Sequence, residues 1–252
     1  MNIWVAAFCG LVLCGCSAPK DVYSLRPSNN QQAVVRDGVP ALVSSRKHIV
    51  FLRPLASHQL SHDRPRFVVA LLNRGKGAAT LKVSDIVVES SQPRRAKMRV
   101  YTHTELAQEV ETQRNTKLVL GAISAAAGAY SAAQSGYSHT TGSFSGTGSY
   151  GTSYGTYNAT TYNPAVAQAA AEANAQRAAN NMANIEAQAQ GKLAELQATV
   201  IKDHTLMPGE WHGGLIVLAP PERGESEGAE YSISIMFDGE QHSFTVTQRK
   251  SA

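Results

Sequence analysis

A chain of 252 residues with 43% hydrophobic and 17% charged residues is long and apolar enough to bury a core, which excludes a wholly disordered protein. Its formal charge of +4 comes from 23 basic and 19 acidic residues spread along the chain, and no basic stripe with interleaved aromatics marks a nucleic-acid partner. The cysteines, Cys9, Cys14 and Cys16, all fall near the start, which excludes a disulfide scaffold or a Cys-ligated zinc site in the body of the protein.

Ile3 to Leu13 is almost wholly apolar, long enough for the core of an export signal and too short to span a bilayer as a helix. Directly after it stands Leu13-Cys14-Gly15-Cys16-Ser17. Here the sequence resembles bacterial lipoprotein precursors, whose lipobox sets Leu three residues ahead of an obligatory Cys and a small residue just before it. Leu13, Gly15 and Cys16 match those positions, and the resemblance covers about the first seventeen residues. It implies a signal peptide over residues 1–15, cleavage between Gly15 and Cys16, a diacylglycerol on the Cys16 sulfur and a palmitate-type chain on the new amino terminus. It also implies anchoring in the cell envelope. Ser17, where inner-membrane members of the class tend to carry Asp, favours the outer membrane of a diderm host. Two or more acyl chains, at about 0.8 kcal/mol per buried methylene, hold a protein on a bilayer without a spanning segment.

Residues 16–47 are polar and carry Pro19, Pro27, Asn29, Asn30, Gln31 and Gln32, a composition that predicts a flexible, lipid-anchored tether. From 48 to 103 the texture changes to short β-branched runs such as Ile49-Val50-Phe51-Leu52 and Phe67-Val68-Val69-Ala70-Leu71-Leu72, parted by turn formers. The same texture returns over 201–252, where Asp238-Gly239 between two alternating runs is a hairpin signal. Neither half has enough strands to close a core. The two together predict one immunoglobulin-like β-sandwich of about seven strands, in an α+β chain.

The insertion over 104–200 reads as an α-helical hairpin. Thr104 followed by Glu105 opens the first helix, which runs to about Gln134; Pro164 at a first helical turn opens an Ala-rich second one that ends near Val200. The Gly/Ser/Tyr-rich tip, 135–163, reads as a flexible loop. No Asp, Glu, Lys or Arg occurs from Leu118 through Ala171. On the first helix Gly121, Ala125, Gly128, Ala129 and Ala132 make a small-residue face that admits another helix at close range, from a second copy, from another envelope protein, or from the second helix of the same hairpin.

Catalytic motifs appear as strings and fail on context. Gly146-Thr147-Gly148-Ser149-Tyr150-Gly151 spells a dinucleotide fingerprint, which requires a strand before it and a helix opening after it. Gly151-Thr152-Ser153-Tyr154-Gly155 spells a nucleophile elbow without the α/β alternation that supports one. His58 and His62 stand one helical turn apart, but Pro54 and Pro65 flank them and no zincin Glu lies between. No catalytic residue, metal, small-molecule substrate or cofactor other than the lipid on Cys16 is therefore expected. The functional expectation is a non-enzymatic envelope lipoprotein with a structural or interaction role through the hairpin. The alternative is an oligomeric pore or secretion-channel subunit that inserts residues 118–171 into a membrane.

Overall fold

A computed structural model describes residues 19–222 and 228–251. Gly15, Cys16 and the export signal lie outside the described residues. In chain order the elements are β1 (Lys20–Arg26), β2 (Gln31–Arg36), β3 (Val39–Ser45), β4 (Ile49–Pro54), β5 (His58–Leu60), β6 (Arg66–Leu72), β7 (Ala79–Leu81), β8 (Ile86–Gln92), β9 (Ala96–Met98) and β10 (Val100–Tyr101). Then come α1 (His103–Ser135), β11 (Tyr137–Gly148), β12 (Gly151–Tyr162) and α2 (Pro164–Thr199), followed by β13 (His204–Leu206), β14 (Trp211–Leu218), β15 (Gly228–Phe237) and β16 (Glu240–Lys250). The protein is α+β, and its sheets are antiparallel. It divides into two compact units, one holding the described residues up to Thr102 and from Thr199 onward, the other running His103–Ala198.

The first unit contains two six-stranded sheets, ordered β5-β1-β16-β15-β8-β9 and β10-β14-β6-β4-β3-β2, with a small β7-β13 pair beside them. Period-two patterning explains why these segments are strands: in β15 Tyr231, Ile233, Ile235 and Phe237 are buried while Ser232 and Ser234 between them are partly exposed. Inward-facing residues of both sheets share one core. Phe67 on β6 lies edge-on to Tyr23 on β1, ring centroids 5.6 Å apart, and to Tyr231 on β15 at 6.3 Å, so one aromatic row links the layers.

The sheets take in a segment expected to be a tether. Residues 20–45 form β1, β2 and β3; Tyr23 and Leu42 are buried in the core, and β1 pairs with the second half of β16, from Thr245 to Lys250. Pro27, Asn29 and Asn30, which suggested a linker, gather at the β1–β2 connection, and Pro19 directly precedes β1. The next connection is a two-residue turn at Asp37-Gly38, with φ of +52° and +74°, matching Asp238-Gly239 at +48° and +74° between β15 and β16. Both are the Asp-Gly pairing that suits a right-twisted hairpin.

The second unit is α1–β11–β12–α2. Asn163 caps α2, its Oδ1 accepting the backbone N–H of Ala165 at 3.0 Å, and Pro164 occupies the first helical position, where no donor is lost. The tip expected to be a loop is a two-stranded antiparallel ribbon, paired from Tyr137↔Tyr162 to Gly148↔Gly151.

Candidate interaction elements

The two long helices of the second unit pack antiparallel through the small residues of α1. Ala132 is buried, and Asn174 of α2 donates from Nδ2 to the carbonyl of Ala125 at 3.3 Å. A Cβ on Gly128 would come 2.5 Å from the Asn174 amide, whereas one on Gly121 would meet only Ile185 Cδ1, at 3.9 Å. Gly121, Ala125, Gly128 and Ala132 therefore face α2 of the same chain. Ala129 lies off that face and is exposed. Arg114 and Glu186, 2.9 Å apart, bridge the helices nearer their other end.

The back of α1 is the feature that sequence reading passed over. Val119, Leu120, Ile123 and Tyr130 are 60%, 60%, 62% and 70% exposed. At 100° per residue, 119, 123 and 130 fall on one side of the helix, opposite the side that carries 121, 125, 128 and 132. This half of α1 is thus apolar on two faces, of which the chain covers one. The signal was present in the Val119-Leu120-Ile123 spacing, but attention to small residues hid it. On α2, Glu172 and Arg177 are exposed, so that helix turns a polar back to solvent.

The ribbon has two distinct faces. Its register adds an odd sum across the strands, so even positions of β11 share a face with odd positions of β12. Phe144 and Tyr157 are therefore on one side despite their opposite parity, a relation that a single-strand parity test misses. Phe144 lies over Gly155 and Tyr157 over Gly142, each ring within 2.5 Å of where the glycine's Cβ would be. That face also carries Gly146, Gly148, Gly151 and Ala159, together with Ser138, Thr140, Ser153 and Thr161. The other face presents Thr141, Ser143, Ser145, Thr156, Asn158 and Thr160 with Tyr154. Tyr137 and Tyr162, centroids 4.7 Å apart, close the base, and Tyr150 stands exposed in the turn. Each strand pairs only with the other, so both outer edges of the ribbon lack a β partner among the described residues.

The motif strings fall in this ribbon. Gly146 to Gly151 spans the end of β11, the turn and the start of β12, with no helix opening there, and Gly151 to Gly155 lies within β12. His58 is in β5, while His62 pairs with the neighbouring Asp63 at 3.5 Å in the turn that follows. Among the described residues no group of three His, Cys, Asp or Glu is placed to hold a metal ion.

Two histidine clusters in the first unit arise only through folding. At the β3–β4 turn His48 is fully buried; its Nδ1 accepts the N–H of Arg74 at 3.3 Å, so its Nε2 donates to Asp238 at 3.1 Å. Lys47 bonds the same carboxylate, and these two bonds hold Asp238 below the usual carboxylate range. Burial pushes Glu240 upward, but the backbone N–H groups of His48 and Lys47 outweigh it and leave the carboxyl low. Buried His242 has Ser44 Oγ 2.9 Å from Nδ1 and Glu240 3.2 Å from Nε2, and burial lowers its pKa. A serine, a histidine and a glutamate meet here as a strut joining the sheets, with Ser44 and His242 sealed from solvent. Elsewhere His204 and His212 stack at 4.1 Å, and His212 is held low by burial first and His204 second.

Compared with protein-family models, with curated proteins and with solved structures, the chain matches none.

Proposed function

We propose that the chain is a non-enzymatic, lipid-anchored protein of the cell envelope, held by a diacylglycerol on Cys16, that works by associating with further copies of itself or with another envelope protein through its second unit. One observation carries the reading: α1 exposes Val119, Ile123 and Tyr130 on the side opposite its packing against α2, with Leu120 exposed on the flank. Burying such a stripe is favourable by about 25 cal/mol per Å² of apolar surface, whereas leaving it in water gains nothing. The non-enzymatic part is supported by the use to which the polar clusters are put, since His48, His242, Asp238 and Glu240 tie strands together inside the first unit. For that unit the finer reading is an immunoglobulin-like sandwich, supported by two antiparallel sheets around one core. The first described strand, β1, pairs with β16 within the sheet.

The test is crosslinking in intact cells followed by isolation of the protein from the membrane fraction. Val119→Glu together with Ile123→Glu should abolish the crosslinked complexes while leaving acylation and helical content unchanged. Complexes recovered at the wild-type level would defeat the assignment of this face.

A further inference from the structure

We propose that the β11–β12 ribbon crosses a lipid bilayer as one hairpin of a closed β-barrel, built edge to edge from the same ribbon in further copies of this chain, with Phe144 and Tyr157 turned to the hydrocarbon. This goes beyond association through α1, because it gives the assembly an activity, passage of small solutes across the membrane.

The dimensions fit first. Each strand has 12 residues; at about 3.3 Å per residue and a tilt of about 40° they rise roughly 30 Å, which covers the apolar band of about 25 Å that barrel proteins present to a membrane. The composition fits next. No Asp, Glu, Lys or Arg occurs between Lys117 and Glu172, so the whole ribbon can leave water without burying an ion. The helices do not share this property, because Glu172 and Arg177 lie exposed on α2 and no helix among the described residues is long and apolar enough to span. The crossing element is therefore narrower than residues 118–171.

The two faces then differ as a barrel wall requires. Around the middle of the ribbon one side offers Gly142, Phe144, Gly146, Gly155, Tyr157 and Ala159 with two hydroxyls, Thr140 and Ser153, whereas the other offers Thr141, Ser143, Ser145, Tyr154, Thr156 and Asn158, every one of them polar-tipped. Phe144 and Tyr157 are 58% and 50% exposed within the single chain, so the less polar side has no cover of its own. Last, in hydrocarbon each unpaired N–H and C=O is costly, and the ribbon has two free edges. An identical ribbon satisfies both edges, and only closure of the ring satisfies them all, which makes the strand number even. Tyr150 in the turn stands exposed at one end, where a phenolic ring meets the headgroup region, while Tyr137 and Tyr162 at the base belong to the hydroxyl face and line the mouth of the barrel.

The test uses the full acylated chain, diluted from detergent onto phosphatidylethanolamine–phosphatidylglycerol vesicles loaded with carboxyfluorescein. The wild-type protein should release the dye. Gly146→Asp puts a charge on the lipid-facing side at a position with open space around the new side chain, and should slow release at least about tenfold. Ser145→Lys, one residue away on the hydroxyl face, should keep release of this anionic dye and shift selectivity toward anions. Both variants should bind vesicles and melt like the wild type. Dye retained by vesicles that carry the wild-type protein would overturn the crossing, as would Gly146→Asp releasing at the wild-type rate. If complexes are still captured in cells while the dye is retained, association through α1 stands and the barrel alone is overturned.

Discussion

Asn174 occupies the space a side chain on Gly128 would need: a Cβ there would come 2.5 Å from the amide that donates to the Ala125 carbonyl. A side chain at Gly128 must displace the Asn174 amide, while one at Gly121, with only Ile185 at 3.9 Å, meets no such obstacle. Gly128→Leu should therefore lower stability by about 1–3 kcal/mol through overpacking, and Asn174→Ala in the same chain should recover part of the loss. Gly121→Ala should raise stability by roughly 0.5–1 kcal/mol, since it improves helix propensity without a clash. Thermal melts followed by helical circular dichroism separate the two signs.

Leu42 offers a direct check that residues 20–45 belong to the folded body. It is 1% exposed and lies in the shared core. Leu42→Ala should cost about 2–5 kcal/mol in denaturant unfolding, the usual loss for a buried leucine. A tether residue would cost nothing measurable.

His242 gives the first unit a pH dependence whose sign is fixed. Burial lowers its pKa from the ordinary 6.5, so the unfolded chain binds the proton more readily than the folded one. The stabilisation is complete above about 6.5 and is lost as the pH falls toward the folded value, opposed in part by Glu240 and reinforced by Arg46 and His48. Asp238 and Glu240, both lowered, withdraw their contributions at more acid pH, as it falls below their ordinary 3.8 and 4.5. Urea midpoints measured from about pH 7 to about pH 5 should fall for the wild type and fall less for His242→Gln.

Replacing Cys16 with Ala should remove acyl labelling and leave the precursor unprocessed. Radiolabelled fatty acid and a gel-shift assay read both effects, and unchanged labelling would end the lipoprotein reading.

The broad class and the helix pair were legible because they rest on local chemistry. Pro164 and the 3.6-residue apolar spacing mark α2, and Asp238-Gly239 marks the β15–β16 turn. Residues 20–45 were hidden by their polar content: β2 leaves most of its side chains exposed and Asp21 on β1 is buried, so neither strand reads as a clean alternation. Asp37-Gly38 was the available signal there. The ribbon was hidden because glycine and serine disfavour strands, and what favours this one is long-range: Phe144 covers Gly155, and Tyr157 covers Gly142. The clusters around His48 and His242 could not be found by spacing, since Ser44 and His242 meet only after the two sheets have packed.

The pairing of β1 with β16, from Asp21↔Lys250 to Arg26↔Thr245, also sets an order of events. A chain that emerges amino-terminus first has its opening strand waiting for a partner at the far end of the sequence, and Phe244 and Val246 reach the core only with that partner. Until then the aromatic row around Phe67 lacks its closing layer, and contacts this distant in sequence form slowly. The first unit therefore completes its fold only once β16 is free to reach β1.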